Sequence, residues 1–164
     1  MKDLIGLTKL PQNLDGLLLP VGVDTLLVPM TCVAEIIEER PALTRSPQSK
    51  PWLHGWIDWR KQHIPLLAFE GLEGIGPMPL TETSQIIIFN AIGVGAERGF
   101  FALAIDNLPR PMRFSEEQDL PIASSPERTG IAFATIIEDK PVLIPDLEYL
   151  EQLSVEAALE GSIA

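Results

Sequence analysis

The chain has 164 residues, of which 46% are hydrophobic, enough apolar material for one compact unit or two small lobes that share a boundary. Its 23 acidic residues outnumber the 12 basic ones, and the formal net charge is −11. Because such a charge repels phosphate-rich surfaces, we expect neither nucleic acid nor an anionic membrane among its partners.

The N-terminal segment lacks the features of a targeting sequence. Asp3, Lys9 and Pro11 interrupt every apolar stretch there, and nowhere does the chain reach the roughly 20 consecutive apolar residues of a membrane span. A lone Cys32 cannot form an internal disulfide, which fits a reducing compartment. We therefore expect a cytoplasmic protein with no direct membrane insertion.

The first part of the chain predicts a hairpin and then a short helix. Residues 1–13 have little periodicity and are interpreted as a flexible leader, and residues 16–21 and 25–29 as two strands. Residues 30–39 show a helical period, with apolar residues on one side and glutamates, Glu35 among them, on the other. Pro41 ends this predicted amphipathic helix.

Residues 51–69 predict a second hairpin, which contains all three tryptophans of the chain. On its first arm Ile57 and Trp59 alternate with Trp56 and Asp58, and a polar turn follows. Because Trp56 shares its side with Asp58, which prefers water, we expect Trp56 to be exposed at an interface. The alternative is an ordinary place in the core.

The second half contains four more predicted strands, at 84–91, 100–105, 130–137 and 141–145. A helix is expected to begin near Asp146, which is a plausible N-cap. Residues 154–164 are interpreted as an acidic, flexible tail, which leaves 14–153 as the folded domain.

A weak internal repeat appears when the sequence is shifted by 76 to 78 residues, which lays 64–69 on 142–147. The repeat predicts a mainly β protein with two similar lobes of about five strands each. A chance match between apolar runs, within a single β-sandwich, is the alternative.

The sequence offers no constellation that would support catalysis. His54 and His63 have no neighbouring cysteine or closely spaced carboxylate that would complete a metal set. The glycine-rich segment 93–99 leads into a strand and not into the helix that a phosphate-binding loop requires. Cys32 has no assignable base. We therefore expect no catalytic residue, no metal, no cofactor and no enzymatic activity.

Residues 55–60, Gly-Trp-Ile-Asp-Trp-Arg, followed by Ile-Pro-Leu-Leu at 64–67, resemble the CheW-type chemotaxis coupling domains. The apolar run 101–106, which ends in Asp106, is similar to another piece of that family's pattern, and the resemblance covers roughly 14–153. It implies two five-stranded β-barrel lobes with a few short helices.

The resemblance also implies a function. In this family one lobe docks on the regulatory domain of a CheA-type histidine kinase, and the groove between the lobes takes the helical tip of a methyl-accepting receptor. The chain would then be a non-enzymatic adaptor in chemotaxis signal transduction, within a two-component system. A small-molecule-binding regulatory β-barrel is the main alternative, and a hydrolase with an unrecognised site is a second.

Five residues are the predicted partner contacts. Arg60 and Glu35 match family positions, and Trp56, Asp58 and Lys61 complete the set. An ion pair that braces the predicted helix against the hairpin is the alternative role for Glu35 and Arg60. Asp58, Lys61 and Ala68 depart from the family's usual residues, which suggests a divergent member similar to the accessory couplers of chemosensory systems for type IV pilus motility.

Overall fold

The structure is a computed structural model that describes residues 13–45, 50–73, 79–91, 93, 99–115, 122–124 and 128–163. The predicted leader therefore lies almost entirely outside the described residues. The strands are β1 (Asn13–Val21), β2 (Asp24–Pro29), β3 (Val33–Ile37), β4 (Leu43–Arg45), β5 (Leu53–Trp59), β6 (Gln62–Leu67), β7 (Gln85–Asn90), β8 (Phe100–Ile105), β9 (Arg110–Ser115), β10 (Ile122–Ser124), β11 (Ile131–Ile137) and β12 (Lys140–Pro145). Two 3-10 turns (Met30–Cys32 and Phe69–Glu73) and the helix α1 (Leu147–Ile163) complete the described elements.

The strands form two sheets, each the basis of one lobe. Lobe 1 has the strand order β10-β11-β12-β2-β1-β9, and lobe 2 has the order β3-β7-β8-β6-β5-β4. The predicted mainly β fold with two lobes is confirmed. Each sheet has six strands in the described part of the chain and not five, because a three-residue edge strand, β10 or β4, extends it.

The internal repeat is visible in the topology. Exchanging β1–β6 with β7–β12 converts the strand order of lobe 1 into that of lobe 2. The hairpin β5–β6 returns as β11–β12 with a shift of 78 residues, and both hairpins have a bulge near the start of their first strand. A chance match would not reproduce the bulge, so the two lobes share one architecture.

Buried side chains divide into three clusters, which explain why two lobes form and not a single sandwich. The largest cluster lies between the lobes and includes Leu19, Phe101 and Leu150. Each sheet also has a core of its own on its other face. Nine buried residues form that of lobe 2, and four form that of lobe 1 among the described side chains.

The predicted helix at 30–39 is wrong, since a 3-10 turn and then β3 occupy this segment. Val33, Ile36 and Ile37 are β-branched and favour an extended backbone. Here β3 pairs in antiparallel fashion with β7, which satisfies the backbone hydrogen bonds that a helix would otherwise have formed internally. A tertiary pairing thus overrides the helical periodicity.

The predicted C-terminal helix forms, and the Asp146 carboxylate caps it by accepting a hydrogen bond of 3.1 Å from the Tyr149 amide. The prediction of a flexible tail from 154 onward is wrong, because α1 continues to Ile163 and buries Ser154 and Ala157. No helix in the described part of the chain is long and apolar enough to cross a membrane.

Candidate functional site

The tip of the β5–β6 hairpin is a two-residue turn in which both residues adopt the left-handed conformation. Arg60 has φ of 49° and Lys61 has φ of 63°. Such turns match the right-handed twist of the flanking strands, so they hold a hairpin tip in a defined orientation. Both side chains point into solvent, and the tip is therefore cationic in a chain that is acidic as a whole.

Glu35 braces this tip from β3, an edge strand of the same sheet. Its carboxylate accepts a hydrogen bond of 3.0 Å from the Arg60 guanidinium and one of 3.3 Å from the Trp59 indole N–H. The guanidinium also lies 4.6 Å from the centre of the Trp59 ring. The ion pair proposed as an alternative role for Glu35 and Arg60 therefore exists, and it braces a strand and not a helix.

This ion pair leaves much of Arg60 available, since 65% of its side chain and 38% of that of Glu35 remain exposed. A pair with such access to solvent contributes only about 0–1 kcal/mol to folding stability. Its main physical effect is to restrict the rotamers of Arg60.

Asp58 pairs across the hairpin with His63, at 3.0 Å between Oδ1 and Nδ1. The two side chains are 71% and 44% exposed. We call the exposed group of Glu35, Asp58, Arg60, Lys61 and His63 the hairpin surface. Four of the five predicted contact residues thus lie at or near the hairpin tip of lobe 2, with Glu35 on the Trp59 side of β5 and Asp58 on the opposite side.

Trp56 does not belong to this surface, and its predicted exposure is wrong. Its side chain is only 3% exposed, and its indole N–H donates a hydrogen bond of 3.1 Å to the carbonyl oxygen of Ala157 on α1. Trp56 and Asp58 do share one side of β5, but α1 covers that side at Trp56. Because 154–164 were predicted to be a flexible tail, no element was expected to cover Trp56.

The burial of two polar groups, one on β5 and one on α1, was not predicted from the sequence. His54 is 7% exposed and its Nε2 atom has no hydrogen-bond partner among the described groups. Burial lowers its pKa, and the nearby Arg45 lowers that pKa further. Glu151 on α1 is 1% exposed and accepts hydrogen bonds of 2.9 and 3.1 Å from the Gly93 amide. Neither environment has a signal in sequence periodicity.

The described residues contain no group of three or more histidine, cysteine, aspartate or glutamate side chains that could hold a metal ion. What the hairpin surface does offer is two exposed cations on a two-residue turn, with the ion pairs Glu35–Arg60 and Asp58–His63 at or beside it. This arrangement is suited to contact with another protein.

The sequence profile of the CheW-like domain matches residues 15–154. The chain belongs to the CheW-like domain family. The CheW-like fold is also that of the crystal structure of the scaffolding protein TtCheW from Thermoanaerobacter tengcongensis, with a TM-score of 0.67 and 19% sequence identity over 86% of this chain and 92% of that chain. The comparison with curated proteins returns no match.

CheW-like proteins of chemotaxis are non-enzymatic scaffolds and adaptors, so the family prediction and the prediction that this chain is not an enzyme are confirmed. The alternative of a small-molecule-binding regulatory domain is not favoured by the family assignment.

Proposed function

We propose that this CheW-like protein couples a methyl-accepting chemotaxis receptor to the regulatory domain of a CheA-type histidine kinase in the cytoplasm. The observation that carries the proposal is the position of Arg60, which is exposed on a rigid turn and held in place by Glu35 and Trp59. An exposed arginine whose rotamer is already restricted loses little conformational entropy when it binds a partner.

The hairpin surface is the proposed contact with the kinase domain. The planar guanidinium of Arg60 can form two parallel hydrogen bonds to a carboxylate of that partner, while the Trp59 ring supports its other side. Lys61 and Asp58 flank it and favour a partner of matching charge pattern. Glu35 acts indirectly, by positioning Arg60.

The receptor tip is proposed to bind in the groove between the lobes. An adaptor of this kind supplies no chemistry, and its contribution is the fixed geometry between its two partners. The large apolar cluster between the lobes supports that role, because well-packed cores deform little.

We further propose that the chain is an accessory coupler, of the kind found in chemosensory systems for type IV pilus motility. The departures at Asp58, Lys61 and Ala68 motivate this assignment. Ala68 is fully buried, so it contributes to packing and not to a contact, whereas Asp58 and Lys61 are exposed and can alter the choice of partner.

Affinity capture from native cell extract tests the coupling function, with wild type and Arg60→Glu compared side by side. The variant replaces the cation and repels Glu35, so we expect wild type to retain a chemosensory receptor or a histidine kinase and the variant to lose the kinase. Arg113→Glu is the matched control, because Arg113 is a 69% exposed arginine paired with Asp15 on lobe 1.

Circular dichroism must show that all three proteins are folded. If both arginine variants retain the same partners as wild type, Arg60 is structural and the hairpin surface is not the contact. If wild type captures no chemosensory component, the coupling function is wrong for this chain.

A further inference from the structure

Two aromatic side chains close the inner core of lobe 2 at its hairpin end. The rings of Trp59 and Phe100 pack edge to face, with centroids 4.7 Å apart and planes at 67°. Trp59 is only 6% exposed. We call Trp59 and Phe100 the aromatic plug. Its rings pack against each other, and its indole N–H donates a hydrogen bond to Glu35.

The internal repeat identifies the counterparts of these two residues in lobe 1. The 78-residue shift between the hairpins places Ile137 on Trp59 and Leu143 on Pro65. In lobe 2 the strands β6 and β8 pair in parallel, and the pairing of Leu66 with Ala102 places Pro65 beside Phe101. In lobe 1 the strands β12 and β2 pair in parallel, and Leu143 pairs with Leu26.

Leu26 therefore corresponds to Phe101, and Thr25 to Phe100. The burial pattern supports this register, because Leu26 and Phe101 both belong to the cluster between the lobes. The aromatic pair of lobe 2 is thus replaced by Ile137 and Thr25 in lobe 1.

The ion pair at the hairpin tip is repeated as well, with its charges reversed. Leu18 pairs with Arg110 across β1 and β9. In lobe 2 the equivalent strands are β7 and β3, and there Ile88, the counterpart of Leu18, pairs with Glu35. Arg110 is therefore the counterpart of Glu35. Arg110 lies 3.3 Å from Glu138, the counterpart of Arg60.

The smaller side chains of lobe 1 leave an open cavity where lobe 2 has its aromatic plug. This cavity has a volume of about 360 Å³, and Leu18, Val142 and Ile137 form part of its lining. Arg110 and Lys140 also line it, together with Leu108, which is 67% exposed.

We infer that this cavity is a docking site for an aromatic side chain presented by another protein. The lining has an apolar part, which includes Leu18, Ile137 and Val142 and matches an indole or phenyl ring, and a polar part. In the polar part the Arg110 guanidinium can lie against the ring face, and Glu138 can accept an indole N–H as Glu35 does in lobe 2. A tryptophan satisfies all three features, so tryptophan is the expected anchor.

A second copy of the chain is a poor source of this anchor. The three tryptophans of the chain are held within its own fold, since Trp56 is 3% exposed, Trp59 is 6% exposed and Trp52 is half-buried. The occupant is therefore a different protein. The site is on lobe 1, so the inference goes beyond the proposed role of the hairpin surface and stands or fails separately from it.

Methyl NMR of the purified protein tests the site with N-acetyl-L-tryptophanamide as the probe. We expect saturable shifts of the methyl groups of Leu18, Leu108, Ile137 and Val142, and at least tenfold weaker binding of N-acetyl-L-leucinamide. Absence of shifts at millimolar probe, or equal binding of the two probes, would overturn the inference.

Two variants and one control locate the binding. Ile137→Trp rebuilds the plug of lobe 2 within lobe 1 and should abolish the shifts, and Leu108→Asp, at an exposed position that leaves the core intact, should weaken binding at least tenfold. Leu159→Asp, at an exposed leucine of α1 that does not line the cavity, should bind the probe as wild type does. Binding that survives both lobe 1 variants contradicts the inference.

Two other occupants would also overturn it. Sedimentation equilibrium that reveals a dimer abolished by Leu108→Asp would make the cavity an interface between copies of this chain. Submicromolar binding of the free amide would make it a small-molecule site. A protein anchor predicts a monomer and weak binding of the isolated side chain.

Discussion

His54 lies in the bulge of β5 with its imidazole buried beside Arg45 and with Nε2 unpartnered among the described groups. Because burial and Arg45 lower its pKa in the folded state, His54 stays neutral there at pH values at which an unfolded chain already binds a proton. The unfolded pKa is about 6.5. Folding stability is therefore lost as the pH falls below about 6.5 toward the lower folded-state pKa.

We expect His54→Leu to remove this part of the acid sensitivity. Urea unfolding at pH 7.5 and pH 5.5 should show a smaller loss of unfolding free energy in the variant than in wild type, because leucine has no proton to bind. Parallel losses in both proteins would show that His54 is protonated equally in the folded and unfolded states.

Gly55 precedes the buried Trp56 and has φ of 148°. A Cβ at this position would collide with the carbonyl oxygen of Thr44 on β4, which is backbone and cannot rotate away. We expect Gly55→Ala to cost at least about 2 kcal/mol of unfolding free energy, measured by urea titration. Gly22→Ala is the control. Gly22 also has a positive φ, of 60°, but open space around it, so it should cost only about 1–2 kcal/mol.

The proximity of two charged residues could be anticipated from the sequence, whereas the environment of the aromatic one could not. Glu35 and Arg60 match positions of a family pattern, an ion pair between them was the alternative considered for both, and that ion pair forms. Their part in partner binding stays a prediction. The burial of Trp56 could not be predicted, since it depends on α1, a hundred residues away in sequence. Alternation along a strand tells which residues share a face but not what covers that face.

The helix α1 follows the last strand of lobe 1 but packs against β6 and Trp56 of lobe 2. Deleting residues 154–164 would remove the buried Ala157 and Ser154 and expose the Trp56 ring. We expect a loss of about 3 kcal/mol or more of unfolding free energy, from lost apolar burial and from the indole hydrogen bond.

Chemical denaturation measures this loss, and Leu159→Ala, at a 47% exposed position of the same helix, should change stability by no more than about 0.5 kcal/mol. A truncated protein as stable as wild type would restore the original interpretation of these residues as a dispensable tail.

The strand β3 shows why element type is hard to assign in short segments. Val33, Ile36 and Ile37 fit a helical period, yet the decisive fact is the row of isoleucines on β7 opposite them. That partner is about fifty residues away, so no local window contains it. The strands of the two long hairpins were predicted more easily, because each partner follows at once in the chain.

Arg128 joins the two lobes, because it forms one ion pair with Asp24 of lobe 1 and another with Glu73, which follows β6 of lobe 2. It donates to the Asp24 carboxylate at 2.9 Å and to Glu73, at the end of the second 3-10 turn, at 2.7 Å. These hydrogen bonds raise the pKa of the guanidinium, which stays charged throughout the usual range. The side chains are 36%, 22% and 43% exposed, so screening by solvent is substantial.

We expect Arg128→Met to lower the unfolding free energy by about 1 kcal/mol at low ionic strength, and by less in 1 M salt, where ion pairs are screened. Thermal unfolding at two salt concentrations checks this. Arg113→Met, which removes one exposed pair with Asp15, should have an effect within about 0.5 kcal/mol. An Arg128 effect that does not depend on salt would point to packing and not to charge.

At the scale of the molecule, the two-lobe architecture could be predicted because the repeat left a trace in the hairpins, where 64–69 matches 142–147. The assignment of strands to lobes could not. Neither β3, which follows the first hairpin, nor its counterpart β9 has any residue type that shows which sheet it joins. That choice is made by the register between strands distant in sequence.

The order of the strands along the chain also determines which sheet can form first during synthesis on the ribosome. All six strands of lobe 2 lie between Val33 and Ile105, so this lobe can complete its sheet as soon as that segment has emerged. The strands β1 and β2 are made first, yet their neighbours β9 and β12 are made only after all strands of lobe 2. At usual rates of translation they wait about 5–20 s, during which one edge of each remains unpaired and open to chaperones or to misassembly.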